Sequence, residues 1–144
     1  MSTMPSIITK FIEYYAELEN QEPLALTTLY HLDAELTDPL GKHLGLFAIQ
    51  NYFSELLTHV KHCHFTIDSL IYDDHRFTVT WTMNWSHQRI SGGKTLLLEG
   101  CSIVEIENDL IIRQRDYYDA GEMLYEHLPL LGWAVRQVKR RLRA

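Results

Sequence analysis

Apolar residues recur near the start of the chain at intervals of three and four: Ile8, Phe11, Ile12, Tyr15 and Leu18. This spacing places them on one face and predicts an amphipathic helix over residues 5–19, with Tyr14 and Tyr15 as core residues. A break at 20–23 precedes a second, shorter helix with Leu26, Leu29 and Tyr30 on one side. Residues 34–38 alternate and read as a short strand that ends in the turn sequence Asp38-Pro39-Leu40-Gly41. Gly45 then leads into a helix whose face is built from Ile49, Tyr52, Phe53, Leu56, Leu57 and Val60, wide enough to cover a sheet.

From residue 65 the period changes from helical to two. Residues 65–72 alternate, and Asp73-Asp74-His75 turns the chain. Residues 76–87 alternate most clearly, with Phe77, Val79, Trp81, Met83, Trp85 and His87 on one side and Thr78, Thr80, Thr82, Asn84 and Ser86 on the other. A loop at Ser91-Gly92-Gly93-Lys94 joins this strand to one over 95–107. Asn108-Asp109 forms a tight turn, and a last strand runs over 110–119. Its end, Arg115-Asp116-Tyr117-Tyr118-Asp119, carries an acid toward a helix that begins near Ala120 and is closed off by Pro129. Helices first and linked strands afterwards predict an α+β fold, a strongly bent antiparallel meander with the early helices on its concave side.

The 144-residue length predicts one domain, with a core over about 5–131 and a basic tail at 132–144. The formal net charge of −6 argues against nucleic acid as a main partner. Cys63 and Cys101 make no disulfide framework and fit a reducing, cytoplasmic setting. No apolar run is long enough to span a bilayer, and the N-terminal residues lack the basic and apolar regions of a signal peptide. The tail, with Trp133 and the ending VRQVKRRLRA, reads as a solvated helix offsetting an acidic chain, or as a basic amphipathic segment able to touch anionic lipid or nucleic acid.

His59, His62, Cys63 and His64 invite a metal reading. Their spacing matches no zinc signature, and a cluster spanning a helix end and a strand start should splay its side chains. A solvated helix terminus is the reading that follows, with no metal or cofactor expected.

Helix, helix, short strand, covering helix and a four-strand meander ending in RDYYD resembles the NTF2-like α+β cone, in its SnoaL-like and limonene-epoxide-hydrolase-like branches. Three marks carry the resemblance over about residues 5–131. They are Asp38-Pro39 with Gly45 leading into Ala48-Ile49 and Tyr52-Phe53, the glycine-containing hairpin, and Arg115-Asp116-Tyr117-Tyr118-Asp119 ahead of an apolar helix. The resemblance implies a sheet curled around a cavity and a homodimer formed through the outer sheet face. The epoxide hydrolase branch points to Asp116 as the cavity acid. The polyketide-cyclase branch points to Asp119, with Glu126 at the place of its helical glutamine.

The epoxide hydrolase pattern is incomplete. Leu36-Thr37-Asp38 stands where that branch has Tyr-x-Asn, and Met83-Asn84-Trp85 where it has Arg-x-Asp. A Met and a Trp cannot protonate an epoxide oxygen, so epoxide hydrolysis is not expected.

Parity puts Asp116 on one side of its strand with Ile112, Gln114 and Tyr118, and Asp119 on the other with Arg113, Arg115 and Tyr117. The same counting turns Leu36, Asp38, Trp81, Met83, Trp85, His87, Leu98, Gly100 and Ser102 toward the cavity, where Gly100 leaves room. A carboxylate facing such a wall is desolvated and shifts toward the range of a general base. Two functions follow. One is proton transfer on a small, mostly apolar carbonyl or polycyclic compound, with Asp116 as base and His87, Asp38 and Tyr118 as donors or orienters. The other is a non-catalytic dimeric ligand-binding or interaction protein, in which Asp116 only satisfies a buried network.

Overall fold

In the computed structural model, residues 3–123 and 129–143 are described. Helix α1 (Ser6–Ala16) is followed by two 3₁₀ turns, Leu18–Asn20 and Pro23–Thr28. Strands β1 (Tyr30–Asp38) and β2 (Gly41–Leu44) form a hairpin, and α2 (Leu46–Leu56) crosses back. Strands β3 (Val60–Tyr72), β4 (Arg76–His87), β5 (Leu96–Glu107) and β6 (Leu110–Tyr118) make the meander. Helices α3 (Ala120–Met123) and α4 (Pro129–Arg143) follow. One curled, unclosed sheet holds all six strands in the order β2-β1-β6-β5-β4-β3. It is antiparallel except where β1 pairs in parallel with β6, a contact between distant parts of the chain that the local pattern does not reveal.

The alternation of β4 becomes its burial: Phe77, Val79, Trp81, Met83 and Trp85 are buried, and α1 packs against that side. Phe11 meets Phe77 edge-on at 5.2 Å between ring centroids, and Tyr15 meets Phe65 at 5.5 Å. Gly100 on β5 pairs with Trp81 across the ladder. A Cβ there would lie 2.4 Å and 2.6 Å from Trp81 ring carbons and 2.7 Å from the Tyr117 carbonyl oxygen. The room left by Gly100 is thus filled by the Trp81 indole, and not by open cavity as the sequence suggested.

Several expectations change. The short second helix is a 3₁₀ turn, and Tyr30 opens β1. Val60 belongs to β3 instead of the α2 face, and β2 is an additional strand. Helix α4 is described from Pro129, whose missing N–H and fixed φ are tolerated in a first turn, and the stretch where the helix begun at Ala120 would end lies outside the described residues. Leu124 and Glu126 lie outside the described residues. A register shift in β6 pairs Ile106 with Ile111 beside Glu105 with Arg113. Ile111, and not Ile112, is therefore the buried residue at that level.

The α4 helix bears the basic tail. Lys139 Nζ lies 2.6 Å from Asp119 Oδ2, while Leu131, Val138 and Leu142 stay exposed. None of the described helices is long and apolar enough to cross a membrane.

Candidate active site

Three neighbouring strands converge on one carboxylate. Ser102 on β5 stands in register with Asp116 on β6 and with Val79 on β4. Ser102 Oγ donates to Asp116 Oδ1 at 2.7 Å, and the Trp81 indole N–H donates to Ser102 Oγ at 3.0 Å. Gln114, two residues from Asp116 on the same side of β6, donates from Nε2 to Oδ1 at 2.9 Å. Behind it, Tyr30 OH donates to Gln114 Oε1 at 2.5 Å, and Tyr15 OH lies 2.7 Å from Tyr30 OH. A polar chain therefore runs from Tyr15 to Trp81 through a largely apolar interior. Each buried polar group in it has a partner, as low-dielectric surroundings demand.

Both hydrogen bonds to Asp116 among the described residues go to Oδ1. The carboxylate stands in the wall of a cavity of about 310 Å³, lined by Trp81, Met83, Trp85, Leu98, Phe53, Phe65 and Met123 among others. Asp116 retains some accessible surface, but the apolar atoms around it keep bulk water at a distance. Burial is the main cause of a pKa pushed from the usual 3.8 up to about 6. The Ser102 and Gln114 hydrogen bonds pull it down and the Asp38 charge pushes it up.

Asp38 also faces the cavity. It lies one step past the last paired position, Thr37 with Arg115, so the parallel register carries it toward Asp116. Its Oδ1 accepts from the Leu40 and Gly41 N–H groups at 2.8 and 3.1 Å, and its Oδ2 accepts from Tyr52 OH. Asp38 therefore serves as an acceptor that fixes the β1–β2 turn and the Tyr52 hydroxyl, and not as a donor. His43 stacks on the Tyr52 ring at 3.9 Å between centroids. Burial raises the pKa of both Tyr52 and Tyr118, so both cavity hydroxyls remain protonated donors.

The other sequence candidates divide. Trp81, Met83, Trp85, Leu98 and Tyr118 line the cavity, and Ser102 and Gln114 line a void of about 20 Å³ behind Asp116. Leu36 is fully buried in the core, outside the lining. His87 lines the cavity but is not brought to Asp116. It pairs with Val60 at the end of β4, eight residues beyond the Val79 that shares the Asp116 register. That is roughly 26 Å along an extended strand. Its Nδ1 accepts from the Arg89 N–H at 3.0 Å, and burial, His59 and Arg89 lower its pKa.

Asp119 is turned away from the cavity. The strand ends at Tyr118, and Asp119 Oδ1 caps the start of α3 through the Gly121 and Glu122 N–H groups at 2.9 and 3.2 Å. Lys139 holds its carboxyl below the usual range. Of the two acids the sequence offered, the cavity receives Asp116.

Tyr15, Tyr30 and Tyr52 were legible only as core residues. Their sequence signal was the hydroxyl itself, which a buried tyrosine has to satisfy somewhere. Neither the apolar periodicity nor the spacing said where.

Residues 11–114 match the model of the SnoaL-like domain. The chain belongs to the SnoaL-like family. A Catenulispora acidiphila protein with a ketosteroid isomerase-like fold, solved in complex with trimethylamine, is similar at a TM-score of 0.75 and 19% identity, over 88% of this chain and 96% of that one. A Shewanella putrefaciens protein described as a SnoaL-like polyketide cyclase is similar at 0.70 and 16%, over 84% and 95%. TerC, co-crystallised with polyporic acid, is similar at 0.67 and 18%, over 81% and 92%. At these identities the likeness is one of fold, and the NTF2-like α+β expectation holds. No curated protein sequence matches the chain.

The raised pKa of Asp116 sets the sign of a stability effect. Between 3.8 and about 6 the unfolded chain has released a proton that the folded chain retains. The contribution is thus fully present below 3.8 and is lost as pH rises through about 6. The full shift corresponds to about 3 kcal/mol, less what the cavity's access to water screens. Asp116→Asn should raise unfolding free energy by about 1–2 kcal/mol at pH 8 and change it little at pH 4. Urea unfolding at both pH values measures this; a difference independent of pH would contradict it.

Proposed function

We propose that the protein binds a small, mostly apolar carbonyl compound and catalyses proton transfer on it, in an isomerisation or an aldol-type ring closure. The observation that carries this is Asp116 Oδ2. It is the oxygen left without a protein donor among the described residues, on a desolvated carboxylate beside an apolar cavity. Such a site takes a small molecule and orients it with few polar groups. The related structures bound to trimethylamine and polyporic acid support a small-molecule role.

In this reading the ligand carbonyl lies toward Tyr118. Oδ2 removes a proton from the adjacent carbon, and the C–H electron pair moves into an enolate whose oxygen accepts from the Tyr118 hydroxyl. The protonated Asp116 then returns its proton to another carbon, or the enolate carbon attacks a second carbonyl of the same molecule, whose π electrons move to its oxygen, and that alkoxide takes the proton back from Asp116. Ser102 and Gln114 hold Oδ1 throughout, so the carboxylate need not reorganise. His87, at the other end of the cavity, contacts the ligand's distal part and takes no proton in the step. The Met83 and Trp85 side chains give this wall no acid for epoxide opening.

An unsubstituted bicyclic ketone, 2-decalone, is a fitting probe. In D₂O at pH 7 the protein should accelerate loss of its α-proton NMR signals, and Asp116→Asn should reduce the acceleration by roughly 10²–10⁴-fold. The rate should rise with pH through an ionisation near 6. Saturable binding with no exchange at any pH would favour the ligand-binding alternative.

The reading extends to a homodimer through the outer sheet face. Leu97, Ile103 and Tyr117 are exposed there, beside the Arg113–Glu105 ion pair. Apolar residues with both charge signs suit a self-complementary, two-fold contact. Ile103→Asp combined with Tyr117→Asp should halve the mass found by sedimentation equilibrium; an unchanged mass would place the contact elsewhere.

A further inference from the structure

The histidines at 62 and 64 do not splay. Both lie on β3, two residues apart and on the same side of the strand, with ring centroids 4.0 Å apart. The 3₁₀ turn Leu18–Asn20 brings Glu19 against them. Glu19 Oε1 lies 2.6 Å from His64 Nε2 and 3.5 Å from His62 Nδ1, and the three ligand atoms all fall within 4.8 Å of one another. Cys63, between the two histidines, points the other way into the cavity wall.

We propose that Glu19, His62 and His64 form a binding site for a divalent transition metal, on the far side of the cavity wall. Four observations bear on it. First, one carboxylate oxygen is approached by two ring nitrogens. The three groups thus converge from two elements on one small space, as ligands of a single ion must. Second, ligand bonds of about 2.0–2.2 Å at tetrahedral angles separate donor atoms by roughly 3.4 Å. His62 already stands at that distance from Oε1, and His64 need retreat by less than about 1 Å. Third, Glu19 Oε2 accepts the Cys63 N–H at 3.0 Å, which fixes the carboxylate and leaves Oε1 for the ion. Fourth, the side chains of His62 and His64 are 36% exposed, so an ion has a path in and an open coordination position.

Two imidazoles and one carboxylate suit Zn²⁺, Co²⁺, Ni²⁺ or Cu²⁺ better than Mg²⁺ or Ca²⁺, which favour all-oxygen shells. The buried Cys63 side chain lines the cavity on the opposite side of β3, so its sulfur is not among the ligands. The ion would staple the Leu18–Asn20 turn to the edge strand β3. Leu18 and Cys63, from those two elements, both line the cavity. The site's role is then to hold that wall, and it stands whatever the cavity binds.

The test titrates the full chain with Zn²⁺ by calorimetry and with Co²⁺ by visible absorption. One equivalent should bind with a micromolar or tighter Kd, give tetrahedral Co²⁺ bands and raise Tm by several degrees. His62→Ala, His64→Ala and Glu19→Gln should each weaken binding tenfold or more, and His75→Ala, in a distant turn, should not. For the wild-type chain, Co²⁺ should shift the ring resonances of His62 and His64 selectively, which decides the matter even where a variant does not fold. No binding below 1 mM on the order of a weak surface association, or affinity kept in the His62→Ala/His64→Ala double variant, would overturn the proposal.

Discussion

A single buried carboxylate sets the terms for the centre of this molecule. Asp116 cannot sit in an apolar wall without compensation, because an ionised group out of water is costly unless hydrogen-bonded. Its Oδ1 receives Ser102 and Gln114, Ser102 in turn receives Trp81, and Gln114 receives Tyr30. These side chains come from β1, β4, β5 and β6, so the network ties four strands together at one level. Trp81 reaches Ser102 because Gly100 has no side chain in its way. The sheet geometry and the candidate chemistry thus depend on the same few contacts.

That arrangement holds Oδ1, while Oδ2 accepts no hydrogen bond from the described residues. In the proposed reaction Oδ1 orients the group and Oδ2 is the oxygen that meets the ligand. Asp38 acts from a distance, through its charge, and is itself occupied by the turn it caps and by Tyr52. The compensation is incomplete, as the upward shift of Asp116 shows. A shift in this direction is what the proposed general base requires.

Much of this arrangement is legible in the amino-acid sequence. Strict alternation locates β4 to the residue, because one face is buried and a slip of one position would expose it. Asn108 and Asp109, both residues that tolerate the positive φ they adopt, make the β5–β6 turn recognisable. The short β2 strand carries no pattern, and Tyr30 mimics helical spacing with Leu26 and Leu29 across a turn. Parity already puts the two acids on opposite sides of β6; the strand's end at Tyr118, which the residue pattern does not mark, is what makes Asp119 the cap of α3. Parity puts His87 on the same side as Trp81 but says nothing of distance along a strand, which is why its pairing with Asp116 fails. The pattern assigns His62 and His64 to a helix terminus because the start of β3 at Val60 is hidden in it, and Glu19 comes from a segment more than forty residues away.

The ionisation of Asp116 separates a desolvated carboxylate, which the proposed base requires, from a solvated surface acid. Carbon-13 labelling of aspartate and NMR detection of its carboxyl resonance across a pH titration measures it directly. The structure predicts a midpoint of about 6 for Asp116. A midpoint at the usual value near 3.8 would show a solvated carboxylate, and with it neither the base nor the closed cavity wall described for this protein.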